Sequence, residues 1–184
     1  MKKQLILALL ILTATTIFAQ SRFYTRTGKI TFSSKAPLED IEGKNKTVTA
    51  VLDATSGAVQ FAVQMKGFEF EKQLMQQHFN ENYVESDRFP KAEFKGNITN
   101  NGDIDYTKDG SYTARIKGKL TIHGVTRDIE TTGTIRVDGG KIDASSVFNI
   151  LCSDYNIRIP AVVKDKVSNS IHISVDCSLE ALKG

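Results

Sequence analysis

Apolar side chains recur at every second position along most of this chain, a pattern met by strands with one buried and one wet face. Ile30 and Phe32 share a face, as do Val48, Ala50 and Leu52. Val59, Phe61, Val63 and Met65 alternate without a break, and Phe94, Gly96 and Ile98 repeat the pattern. The longest clean run is 112–122, with Ala114, Ile116, Gly118, Leu120 and Ile122 in phase. It is followed by 129–137, by Phe148 and Ile150, and by Ile171, Ile173, Val175 and Leu179. These segments make eight strands. Ser56-Gly57, Asn100-Asn101-Gly102 and Asp138-Gly139-Gly140 mark turns between them, the last a strong hairpin signal.

One stretch breaks the alternation. Residues 70–83 (FEKQLMQQHFNENY) hold no Gly, Pro or Val, and Phe70, Leu74 and Phe79 fit one side of a short helix. That helix is expected to end near Ser86-Asp87, because Pro90 disfavours helical geometry in the residue ahead of it. The expected fold is therefore all-β: an eight-stranded antiparallel lipocalin-like barrel with a short helical insert. Closure removes unpaired edges, and a barrel of eight strands has room for its own side chains or for one small ligand. Inward Ala114, Gly118, Gly133 and Ala144 leave space, and there is no Trp to plug the middle. A filled barrel or a two-sheet sandwich fits the same alternation.

Residues 1–19 read as a secretory leader: Met1-Lys2-Lys3, an apolar run over 5–12, and Ile17-Phe18-Ala19 before a cut at Gln20. The apolar run is shorter than the roughly 20 residues of a membrane span, so no transmembrane anchor is expected. The barrel domain then occupies 20–184. Lys2 and Lys3 contribute most of the formal charge of +3. The remaining charge is nearly balanced and gives no support to nucleic-acid binding, which needs concentrated positive charge.

In an exported chain two cysteines are free to bridge. Cys152 is in phase with Phe148 and Ile150, Cys177 with Ile173 and Val175, so both are expected to point inward. A symmetrical hairpin centred at 164–165 places them opposite each other and predicts a disulfide. The alternative is two buried thiols packed as small apolar groups.

Catalytic chemistry finds little footing. His172 lies between inward Ile171 and Ile173 and should face out, His123 sits at a turn, and His78 is on the helical insert. No metal site is expected from the three. There is no G-x-S-x-G elbow, and Asp103, Asp105, Asp109 and Asp138 sit in turns, where Asp bonds its own backbone. Asn45-Lys46-Thr47 and Asn97-Ile98-Thr99 match glycosylation acceptors by spelling alone. Arg115, Lys117 and Lys119 fall out of phase with the inward set and are expected to be solvated.

Three stretches resemble the YceI-like lipid and polyisoprenoid-binding family. They are 78–96, with Tyr83-Val84-Glu85-Ser86-Asp87-Arg88-Phe89-Pro90 at its centre, then 118–127 (GKLTIHGVTR), then 153–160 (SDYNIRIP). They occur in order, and the resemblance spans roughly 22–182. It implies an extended lipocalin-like barrel and a periplasmic or secreted protein. The implied partner is an isoprenoid, quinone tail, fatty-acyl or other long-chain lipid, held without a cofactor and without catalysis. Phe32, Phe61, Met65, Phe94, Leu120, Ile122, Phe148, Ile150, Ile173 and Val175 are the expected wall, with Leu74, Phe79 and Phe89 capping the mouth. Ordinary core packing is the plainer reading of each position. A lipid-metabolism enzyme using the same tunnel, or a filled barrel acting through its outer surface, are the competing functions. Monomer and homodimer are both compatible with the sequence.

Overall fold

Residues 22–182 are described in the computed structural model, and the expected leader lies outside the described residues. The strands are β1 (Arg22–Lys35), β2 (Asp40–Asp53), β3 (Ala58–Gln64), β4 (Glu69–Phe70), β5 (Lys91–Ile98), β6 (Gly110–Ile122), β7 (Val125–Asp138), β8 (Lys141–Leu151) and β9 (Ser170–Ala181). All pairings are antiparallel and run β1-β9-β8-β7-β6-β5-β3-β2, with β2 returning to β1. Eight strands thus close into a barrel. The two-residue β4 was not anticipated; it adds to the rim of β2 through Gly43 and Lys44. The helix α1 (Gln73–His78) is shorter than expected, and 79–83 continue it as a wider turn.

Alternation sets which side faces in. Ala114, Leu120 and Ile122 of β6 are buried while Arg115, Lys117 and Lys119 are exposed. Those three cations pair with Asp103, Glu130 and Asp128 on the outer surface, where such pairs add little stability. Two hairpins use tight two-residue turns with both central residues at positive φ: His123 and Gly124 between β6 and β7, Gly139 and Gly140 between β7 and β8.

Close backbone approach explains the opposed glycines Gly96 and Gly118. A Cβ on Gly118 would lie 2.6 Å from the Lys95 carbonyl and 2.6 Å from the Phe94 ring. The room at Gly118 is therefore filled by Phe94, and a Cβ on Gly133 would likewise lie 2.6 Å from the Ser145 carbonyl. By contrast, Ala114 and Ala144 border open space.

The lower end is sealed. Phe23, Leu52, Ile98, Ile104, Ile135, Ile142 and Leu179 pack there as one buried cluster. The 99–109 loop holds the seal: Asn100 Nδ2 donates to the Thr113 carbonyl (2.9 Å) and its Oδ1 accepts from the Arg115 amide (2.7 Å). Tyr106 stacks on Phe23 and donates to Asn101 at 2.7 Å, and burial pushes its phenol up to about 12.

Near the upper end Asn45 is fully buried. Its Nδ2 donates to the Gln64 carbonyl (2.9 Å) and its Oδ1 accepts from the Thr47 amide (2.9 Å), so it is engaged within the protein. It sits where β1 and β2 shift register.

β7 and β8 are only half joined. β8 pairs with β9 from Ile142 to Leu151, but with β7 only from Gly133 to Asp138. Above Gly133 and Ser146 the two strands part, and none of residues 125–132 or 146–151 is fully buried. Segment 152–157 fills the top of this seam with Tyr155, the largest fully buried side chain. Its backbone is pinned to β7, because Arg127 Nε donates to the Asp154 carbonyl at 2.9 Å.

The expected disulfide is not formed: Cys152 and Cys177 are both free and buried. The register pairs Cys177 with Ala144 and Leu151 with Ser170, centring the connection at 160–161 rather than 164–165. Cys152 lies eight residues beyond Ala144, about 26 Å away at the strand rise. Burial pushes both thiols up to about 11. Titration of the native protein with a thiol reagent at neutral pH should give no fast-reacting group, and the unfolded protein should give both. Substituting Gly118→Ala forces backbone and ring to shift and should destabilise the barrel by about 1–3 kcal/mol in urea unfolding.

Candidate functional site

The interior above the lower seal is hollow. A cavity of about 590 Å³ runs up the barrel axis from Ala50, Leu52, Ile98 and Leu179 to the upper end, within the range of about 300–1,000 Å³ typical of small-molecule sites. Phe32, Phe61, Met65, Phe94, Leu120, Ile122, Phe148, Ile150, Ile173 and Val175 all line it, as do Leu74 and Phe79 at the mouth. Ile129, Phe148 and Ile150 stand beside the seam and are only partly buried.

Phe89 is the exception. Its ring packs edge-on to His123 (4.5 Å between centroids), under the Arg88 guanidinium (4.9 Å), outside the cavity lining. Glu85 adopts φ 45°, a left-handed turn that carries 86–90 across the outside of the 123–124 hairpin instead of over the opening.

Several lining residues lie outside the expected wall, Phe68 and Phe70 foremost among them. Phe68 and Phe70 join Phe32 and Phe79 in a cluster beneath α1, with centroid separations of 5.1–5.7 Å. The alternation Phe68-x-Phe70 was the available signal, hidden because Phe70 was assigned to the helix. Interlocked rings of this kind are worth more than their area alone. They give the opening a rigid apolar collar on the α1 side.

Polar groups are few: Ser34, Tyr83 and Glu93 border the cavity singly, and the others fall into two sets. Glu39, Lys72, His78 and Lys166 stand at the mouth, with Lys72 Nζ 3.3 Å from Glu39. Thr131, Thr134, Ser145 and Ser146 lie on β7 and β8, and the Ser146 hydroxyl donates to the Thr132 carbonyl at 2.8 Å. No group of three metal-ligating side chains occurs among the described residues. The histidines stand apart: His172 is exposed beside Asn149, His78 is at the mouth, and His123 is under Phe89.

His123 ties the upper loops together. Its Nδ1 is 3.0 Å from the Tyr155 carbonyl and its Nε2 is 3.1 Å from Glu85 Oε1. Both partners are acceptors, so both contacts are hydrogen bonds only when the ring carries two protons. The left-handed turn at His123 aims the ring back at these loops, and it thereby couples the 83–90 segment to the 152–157 plug of the seam.

The hydrogen bond from His123, with help from Arg88, holds the Glu85 carboxyl below the usual carboxylate range. A depressed carboxyl stabilises the fold above its ordinary value of 4.5 and loses that contribution as pH falls through the folded-state value. Thermal unfolding followed from pH 7 down to 3 should therefore show Glu85→Gln less stable than the native protein at the upper end. The two curves should converge in acid.

Comparison with known proteins agrees with this architecture. No curated protein sequence matches the chain. A polyisoprenoid-binding domain from Saccharophagus degradans, implicated in plant cell wall breakdown, superimposes with a TM-score of 0.78 at 13% identity, over 89% of this chain and 99% of that one. Burkholderia cenocepacia BcnA gives 0.67 at 19% identity, covering 83% and 95% of the two chains. A Campylobacter jejuni YceI protein gives 0.57 at 20% identity, covering 77% and 85%. At these identities the likeness is one of fold. The model of the YceI-like domain matches residues 20–179, and on that extent of agreement the chain belongs to the YceI-like family.

Proposed function

We propose that this protein holds one long apolar chain inside its barrel, as a carrier or store working in the periplasm or outside the cell. The chain is a polyisoprenoid, a quinone tail or a fatty-acyl lipid. The observation that carries the reading is the cavity of about 590 Å³ walled by aromatic and branched aliphatic side chains. A dry void of that volume would cost about 14 kcal/mol at the rate measured for engineered core cavities, as much as the whole stability of an ordinary domain. Space on that scale is not a packing defect. It is kept open by strand closure, and in this reading a lipid chain fills it.

Shape supports a chain over a compact ligand. The cavity follows the barrel axis between strands of up to 14 residues, roughly 46 Å at the strand rise. Apolar burial supplies affinity without directional bonds, which suits a repetitive hydrocarbon. Export is supported by the leader pattern of residues 1–19. The Saccharophagus domain, described as polyisoprenoid-binding, supports the same ligand class. Binding rather than catalysis is the function in this reading: the polar groups of the wall are mainly hydroxyls, from Ser34, Thr131, Thr134, Ser145 and Ser146. Among the described residues, no histidine or second acid shares a hydrogen bond or ion pair with the carboxylate of Glu93.

Mass spectrometry of an organic extract from protein purified out of its native source tests the reading. A stoichiometric isoprenoid, quinone or acyl chain is expected. A clean extract, with no uptake when such lipids are added back, would sink it. Ile129→Glu places a carboxylate in the wall beside the seam and should weaken binding of the recovered lipid by at least about ten-fold, read by equilibrium binding at neutral pH.

A further inference from the structure

The three most exposed large apolar side chains among the described residues stand at one end of the barrel. Val162 is 91% exposed, Leu38 71% and Leu74 61%. They come from three separate stretches: the turn between β1 and β2, helix α1, and the connection between β8 and β9. Two contacts join these stretches around the cavity mouth. The Leu38 amide donates to the Asp165 carbonyl at 2.9 Å, and Lys72 reaches Glu39 at 3.3 Å.

Each apolar tip either lines the cavity or adjoins in sequence a residue that does. Leu74 lines it, Leu38 precedes the lining residue Glu39, and Val162 precedes the lining residue Val163. Pro37 and Ala161, one residue before the tips, are exposed as well. Isolated exposed apolar residues are ordinary on any surface, but three at the rim of one opening are a pattern. In the same stretches Lys35, Lys164 and Lys166 are exposed together with Asp40 and Asp165, so the lysines can meet lipid phosphates while the apolar tips supply the distinguishing feature of this rim.

We propose that this end of the barrel is a docking surface for a lipid bilayer. Leu38, Leu74 and Val162 enter the boundary between headgroups and acyl chains, while Lys35, Lys164 and Lys166 meet the phosphates. The inference rests on the carrier reading for its purpose: with the mouth seated on the bilayer, a chain passes from one apolar medium to another without crossing water. A protein partner fits the arrangement less well. Stable protein interfaces bury on the order of 1,000 Å² or more over complementary surface, whereas these tips are discrete points around a hole.

Co-sedimentation of the purified protein with phosphatidylcholine vesicles containing no isoprenoid tests the docking. Uptake of cis-parinaric acid, a fluorescent acyl chain, reports separately on the cavity. The native protein should pellet with vesicles and still do so in ~0.5 M salt, where charge attraction is screened. The double substitution Leu38→Ser with Val162→Ser, at two residues outside the cavity lining, should weaken vesicle binding at least about ten-fold while leaving cis-parinaric acid uptake unchanged.

Native protein that stays in the supernatant, or a double variant that pellets as the native protein does, overturns the proposal. So does binding abolished by salt, which assigns attachment to the lysines alone. A native dimer that becomes monomeric in the double variant, with vesicle binding unaltered, assigns the surface to a second copy and overturns it too. Native protein that docks but takes up no cis-parinaric acid overturns the carrier reading and leaves the docking surface supported.

Discussion

The pairing of β1 with β2 is the interaction on which the rest of this structure depends. It joins the two edge strands of an otherwise open sheet. Without it, two long rows of backbone donors and acceptors would face solvent, and the sheet would be free to collapse onto its own apolar side. With it, inward side chains are held on a ring whose radius is set by strand number and tilt rather than by side-chain volume. The hollow interior follows from that separation of roles. Backbone hydrogen bonds hold the shape, and the side chains line a space that they do not fill.

The two ends of the ring are finished differently. At the lower end Asn100, Asn101 and Tyr106 spend their hydrogen bonds on a fixed lid, and aliphatic residues pack behind it. At the upper end the cover is assembled from three separate elements: a short helix, a hairpin turn and a long connection. They are tied by few contacts, among them the His123 bridge between Glu85 and Tyr155. A sealed end below and a mouth above give the cavity a direction.

How much of this was legible in the sequence depended on whether the signal was local. Period-two alternation is local, so the eight strands and the inward wall residues were readable, down to Arg115, Lys117 and Lys119 facing out. Register is not local. The Cys152–Cys177 pairing was inferred from an assumed hairpin centre, and the four-residue difference to the observed centre separates the thiols by a good part of the barrel height. Phe89 failed for a related reason: a left-handed Glu85 redirects the chain, and a Glu carries no hint of positive φ as a Gly would. The parting of β7 from β8 left only a faint mark: Arg127 and Thr131 stand in the inward phase of Val125 and Ile129, where the paired half of the strand has Gly133, Ile135 and Val137.

That parting changes what kind of container this is. A closed tube admits a polymer only by its tip, so cargo bulky at both ends is shut out, and travel along the bore slows as the cargo lengthens. A tube slit along part of one side can take a strand in sideways, at mid-length, as a thread is pressed into a split cane. Below Gly133 and Ser146 the wall is whole and sets how deep the strand can seat. Above them the gap is stopped by the 152–157 segment, with Tyr155 buried and the Asp154 carbonyl held by Arg127.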